Sequence, residues 1–184
     1  MNSRSDLLIA IRPATSAEAQ DLAEIGLAAW EKAIRVWGED AERLRENARE
    51  AYYDFCTRCW PDILVAEWDG DVAGWGSCEK ADDFITDLWV LPEFQNRGIG
   101  TALLEEIEAG IIERGFPSAR LDTHARNIAA IRLFKRLGYR VKTYFVTYSD
   151  PLDEDIDKVE MIKEFEPDSE PLDRGTDDYS LYDN

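Results

Sequence analysis

Apolar residues recur along the chain at two spacings, every third or fourth position and every second position, and each change of spacing marks a new element. Leu7–Arg12 reads as a short apolar strand ended by Pro13. Thr15 or Ser16 is placed to cap a helix, and Leu22, Ile25, Leu27, Ala29, Trp30, Ala33 and Ile34 give that helix a broad apolar face. After a turn at Trp37–Asp40, a second helix is predicted from Ala41 to Trp60, with Leu44, Ala48, Ala51, Tyr52, Phe55 and Cys59 at helical spacing and Pro61 as its stop. Ile63–Trp68 and Val72–Cys78 form a hairpin around Asp69-Gly70, and Phe84–Leu91 is the next strand. A helix carrying Ala102, Leu103, Ile107, Ile111 and Ile112 ends near Arg114-Gly115. Ala119–Thr123 is a strand, and Asn127 then caps a helix with Ala130, Ile131, Phe134 and Leu137 facing inward and Gly138 closing it. Tyr139–Tyr148 and Lys158–Phe165 are the last strands. This order predicts an α/β (α+β) fold, a mixed sheet with helices on both faces.

Composition sets limits on that picture. A chain of 184 residues with 45% hydrophobic positions supports one domain with a sizeable core, expected over residues 1–165. Residues 166–184 are acidic and Pro-spaced with few apolar positions, and are expected to be a mobile tail. The formal charge is −18, and from Asp150 onward fourteen Asp and Glu stand against Lys158, Lys163 and Arg174. Such a surface repels nucleic acid and attracts cations. No apolar run approaches the roughly 20 residues of a membrane span. Met1–Asp6 lacks the apolar core of a secretory leader, so a cytoplasmic setting is expected. Cys56, Cys59 and Cys78 are an odd set on apolar patterns, read as structural thiols with no metal site.

The most informative segment runs from Val90 to Leu104. It reads as strand end, Pro92, Gln95-Asn96-Arg97-Gly98-Ile99-Gly100-Thr101, then helix. Gly98 and Gly100 carry no side chain to block a ligand from the backbone, and the helix start offers amides without intrahelical partners. Free donors and the positive end of the helix dipole favour phosphate oxygens. A Walker loop is excluded because no Lys follows, and a dinucleotide fingerprint because Leu103 occupies the third glycine position.

Gln95-x-x-Gly98-x-Gly100 resembles the signature of the GCN5-related N-acetyltransferases (GNAT), and the resemblance spans about Ile9 to Phe165. Asn127, Ala130, Gly138 and Tyr139 match a second recurring segment of that family. The resemblance implies the GNAT acyl-CoA N-acyltransferase fold, a mostly antiparallel sheet of six to seven strands flanked by about four helices. It implies acetyl-CoA as co-substrate, its pyrophosphate at Gln95, Asn96, Arg97, Gly98, Ile99, Gly100 and Thr101. The pantetheine would insert beside Leu88, Trp89 and Val90, with Asn127 and Phe134 nearby. The acceptor would be a small amine or a peptide amino group, drawn by the acidic charge; a homodimer is left open.

One position departs from the family pattern. The Tyr that the family offers as acid for the departing thiolate is here Phe134, which has no proton to give. Thiolate leaves well without help, given a thiol pKa near 8.5, so transfer does not depend on that acid. Candidate bases for the amine are Asp82, Asp83 and Asp87 around the strand before the glycines, and Asp122 and His124 on the strand before Asn127. Asp87 lies within an apolar strand, where burial would raise its pKa, and His124 has the best intrinsic pKa for the task. Trp30, Trp37, Tyr52, Tyr53 and Trp60, with Glu31 and Asp40, are available to wall an amine pocket. Two rivals remain: a CoA-binding module with little catalysis, kept alive by Phe134, and an interaction domain acting through the acidic tail.

Overall fold

The N-terminal alternation builds β1 (Ile9–Pro13) in the computed structural model, which describes residues 9–37, 41–78, 82–149 and 152–166. Two helices follow, α1 (Ala19–Trp37) and α2 (Ala41–Cys59), then β2 (Ile63–Trp68), β3 (Asp71–Cys78) and β4 (Phe84–Val90). The second half holds α3 (Ile99–Glu113), β5 (Ser118–His124), α4 (Ile128–Arg136), β6 (Arg140–Ser149) and β7 (Glu154–Glu164). Leu7, Leu8, the turn positions 38–40 and the tail beyond Glu166 lie outside the described residues. Among the described residues no helix is long and apolar enough to cross a membrane.

One seven-stranded sheet runs in the order β1-β2-β3-β4-β5-β7-β6. Every neighbouring pair is antiparallel except β4 and β5. The β2–β3 turn places Asp69 at φ 54° and Gly70 at φ 91°, the left-handed pair that a tight hairpin demands. Local chemistry anchors the entry to α1. Glu18 receives the Thr15 amide at 2.8 Å and the Arg12 guanidinium at 2.6 Å, while Arg12 also reaches Glu67 at 2.7 Å. Those Arg12 bonds, despite partial burial, hold the Glu18 carboxyl at about 2.

Two elements differ from expectation. α2 stops at Cys59, and Trp60–Asp62 tighten into a 3-10 turn because Pro61 cannot continue the α-helix. β7 begins at Glu154 rather than Lys158. Its first turnless stretch mixes Glu154, Asp155 and Asp157 with the buried Ile156, so its acidic exposed positions disguise it as tail.

α1 and α2 cover one face of the sheet. Their core contains Leu22, Ile34, Leu44 and Trp75, and Phe55 stacks on the Trp75 ring at 5.8 Å. Trp75 donates its indole N–H to the Leu22 carbonyl at 2.7 Å, so full burial leaves no polar atom unpaired there. α3 and α4 cover the opposite face with Leu104, Ile107, Ile111 and Phe134 against Leu121, Val159 and Met161.

The seam between β4 and β5 positions the site. Only Phe84–Arg120 and Ile85–Leu121 pair across it, and the two strands then part. A bulge in the β3–β4 register between Ser77 and Cys78 bends β4 at that level. Below the fork, Arg120 clamps Asp83 at 2.8 Å and Asp82 at 3.0 Å.

Candidate active site

Beyond Ile85 the edge of β4 facing β5 has no strand against it. Leu91 donates its amide to Ala73 of β3 at 2.9 Å. Backbone donors alternate along a strand, so the Val90 and Leu88 amides point the other way, into the fork. The Val90 carbonyl is taken by the Gln95 side chain at 3.0 Å, and Gln95 in turn accepts from Lys32 of α1 at 2.6 Å. This chain of bonds ties α1, the glycine loop and the end of β4 together.

The glycine loop then turns sharply. Asn96 has φ 62° and Gly98 φ 88°, and Gly98 stands immediately before α3. Glycine takes such a backbone without strain, whereas a side chain there costs about 1–2 kcal/mol. The first α3 bond runs from Ala102 to Gly98 at 2.9 Å, so the amides of Ile99, Gly100 and Thr101 have no partner within the helix. A Cβ on Gly100 would meet nothing closer than Val90 at 3.7 Å and Leu133 at 3.8 Å. The glycine is not demanded by packing; what it keeps open is the cleft.

That cleft has a volume of about 620 Å³ and joins the fork to the start of α3. Leu88, Trp89, Val90, Gln95, Asn96, Gly98, Ile99, Gly100, Thr101, Asn127 and Phe134 all border it. Arg97 does not: its guanidinium lies over the Trp68 and Phe94 rings at 5.3 and 5.4 Å. Asn127 links two elements, accepting from the Ala130 amide at 3.3 Å as helix cap and donating to the Thr123 hydroxyl at 3.2 Å. Lys32, Arg126 and Arg136 also border the cleft and make its walls cationic in a strongly acidic protein. Sequence reasoning missed these three. Ala29, Lys32, Ala33 and Val36 form one stripe of α1 at helical spacing, and Arg126 adjoins Asn127, so the signal was present but weak.

The base candidates sort by environment. Asp82 and Asp83 belong to the Arg120 clamp below the fork. Burial alone would raise Asp83, but bonds from Arg120 and Ser118 hold it below its ordinary value. Asp122 is paired to Lys158 at 2.7 Å. His124 accepts the Arg126 amide on Nδ1 at 3.0 Å, which leaves the proton of the neutral ring on Nε2. Asp87 is different. Enclosure of its carboxyl raises its pKa against the opposing pull of the Trp89 indole, bonded at 2.8 Å, and of Lys158. It borders Trp89, itself a wall of the cleft, and adjoins Tyr52, whose phenol is also pushed up by burial.

The remaining expectations fall apart in space. Trp30 and Tyr52 are buried in the core, Tyr52 edge-on to Trp89 at 5.4 Å, while Tyr53 is exposed beside Gln20 and Glu46 on the outer α1–α2 surface. Trp30, Tyr52 and Tyr53 do not form one wall, and the Trp37 side chain lies outside the described residues. Asp40 lies outside the described residues, and Glu31 is occupied by Arg45 at 3.0 Å. Tyr139 donates to Glu108 at 2.9 Å beneath α3, where burial raises its pKa, so it does not replace the missing acid. Cys78 is buried with its thiol raised by enclosure, and Cys56 is pushed up to about 12; neither thiol is activated.

The model of the acetyltransferase (GNAT) family matches residues 23–139. Among solved structures, the chain is similar to a GCN5-related N-acetyltransferase from Rhodopseudomonas palustris, at 23% identity over 89% of this chain and 100% of that one, with a TM-score of 0.72. It is also similar to the PaiA N-acetyltransferase from Thermoplasma acidophilum, solved with coenzyme A, at 22% identity over 86% and 100%, TM-score 0.69. A third is YncA from Salmonella typhimurium, described as a putative acetyltransferase and solved with acetyl-CoA, at 21% identity over 89% and 98%, TM-score 0.60.

Proposed function

The chain belongs to the acetyltransferase (GNAT) family, and from that premise we propose that it moves an acetyl group from acetyl-CoA to a primary amine by direct transfer in a ternary complex. The observation that carries the reading is the forked seam. β4 and β5 pair at only two positions, which leaves the Leu88 and Val90 amides beside the open start of α3.

On this reading the pyrophosphate lies on the amides of Ile99, Gly100 and Thr101, at the positive end of the α3 dipole. The pantetheine runs along β4 as a short added strand. An amide at the end of β4, on Leu88 or Val90, donates to the thioester carbonyl oxygen as charge develops on it. Asp87 takes a proton from the bound ammonium, directly or through one water, the freed amine attacks that carbon, and the adduct gives its second N–H proton to water as the C–S bond breaks. The CoA thiolate leaves and takes its proton from water, since Phe134 has none to supply. The acidic surface draws a cationic amine, small or on a peptide. The setting is cytoplasmic.

The test is to incubate the protein with acetyl-CoA and polyamines, aminoglycosides, amino acids and peptides. Free CoA thiol and the mass of each amine are then measured. Acetylated product with matching thiol release supports the reading. Tight acetyl-CoA binding with no release from any amine makes the protein a binding module, the rival that Phe134 keeps open.

A further inference from the structure

The sheet has two outer edges, and they are finished differently. β1 is five residues long and ends in Pro13, with the Arg12 charge beside it. Short length, Pro and charge are what keep a sheet edge from pairing with another chain. β6 has ten residues and a neighbour only in β7 among the described residues. From Thr143 to Ser149 it carries no charge, Pro or Gly. On one face it exposes Tyr144 by 68%, Val146 by 65% and Tyr148 by 56%, a stripe of large apolar side chains in water.

The stripe is also symmetric. Read antiparallel against itself about Val146, Thr143 meets Ser149, Tyr144 meets Tyr148, Phe145 meets Thr147, and Val146 meets Val146. A two-fold axis needs a surface that complements itself, and this strand has one. Aromatic pairs flanking a β-branched pair favour cross-strand association. Arg140 and Lys142, the charges that open β6, are already paired to Glu164 and Glu160 of β7.

We propose that β6 is the contact of a two-fold homodimer in which the sheet continues, antiparallel about Val146, from one copy into the next. The occupant of this edge is a second copy of the chain rather than an unrelated protein, because the register is satisfied by the strand's own sequence.

The test is sedimentation equilibrium of the full chain over rising concentration, for wild type, Val146→Lys, Tyr144→Lys and the conservative Val146→Thr. Circular dichroism checks that each variant is folded; both substituted positions are exposed, so the fold is expected to survive. Expected is a reversible wild-type dimer, retained by Val146→Thr. Val146→Lys brings two ammonium groups face to face and weakens the dimer by roughly a hundredfold, with a smaller loss for Tyr144→Lys. A wild-type monomer at every concentration overturns the proposal, since something else, the chain's own tail included, then covers the edge. A dimer that Val146→Lys leaves unweakened overturns it equally, because the contact lies elsewhere.

Discussion

Along the fork edge of β4 and the start of α3, the molecule offers main-chain amides, glycines and apolar side chains around an open cleft. On the face turned toward α1 and α2, Asp87 is enclosed with Trp89 and Tyr52, close to the Asp122–Lys158 pair. In the function proposed above, the first arrangement holds the cofactor by shape and phosphate charge, where added bulk is harmful, and the second takes a proton, where the titratable group matters. On that proposal grip and chemistry rest on different residues, and each can be broken without the other.

The sharpest way to break that separation is Gly98→Val. It forces a β-branched residue to φ 88° at the start of α3 and is expected to abolish acetyl-CoA binding by calorimetry. Gly100→Val should fold normally, because the space beside it is open, yet lose most binding; normal affinity in that variant would displace the proposed phosphate site. Next comes Asp87→Asn, expected to lower kcat by about 10²–10³-fold with the acetyl-CoA Kd nearly unchanged. Asn keeps the acceptor for the Trp89 indole, so the loss reports proton transfer.

The same residue gives a pH prediction with a definite sign. Burial raises the Asp87 pKa in the folded protein, so the fold retains a proton that the unfolded chain releases at the ordinary carboxylate value. Stability therefore falls as pH rises through the interval between those two values, whereas activity rises because the base must be ionised. Asp87→Asn removes both limbs, and its Tm near neutral pH should lie above that of the wild type. An unchanged acid limb in the pH–rate profile would assign the base elsewhere.

Smaller effects sharpen the comparison on the cleft side. Lys32→Ala frees the Gln95 side chain and should raise the KM for acetyl-CoA about threefold to tenfold with kcat retained. Phe134→Tyr should change kcat by less than about threefold, because a thiolate leaves without an acid. A large gain would show that thiolate protonation limits the wild-type reaction.

The cleft side was more legible in the sequence than the opposite face, for a physical reason. The proposed backbone site for phosphate would restrict residue types locally: Gly98 takes a positive φ, the space beside Gly100 stays open, and a helix follows. Those demands leave a contiguous pattern, as does the cap at Asn127. Lys32 reaches the cleft from a helix more than sixty residues earlier, and nothing in its local pattern requires a cation there. The acidic candidates show the same limit. Asp82, Asp83, Asp87 and Asp122 are alike in type, and only the folded chain reveals that two clamp Arg120, one pairs with Lys158, and one is enclosed. Strand periodicity located the sheet, but β7 was read short because exposed acids at Glu154, Asp155 and Asp157 look like tail.

Two rungs of hydrogen bonding are a slender hinge between the halves of a sheet. Whatever slides into the fork supplies the rungs that the polypeptide omits, so occupancy should slow amide exchange in β5 as well as in β4, far from any group that reacts. The protein then rests as an incomplete weave, and each turnover would knit it closed and unpick it again.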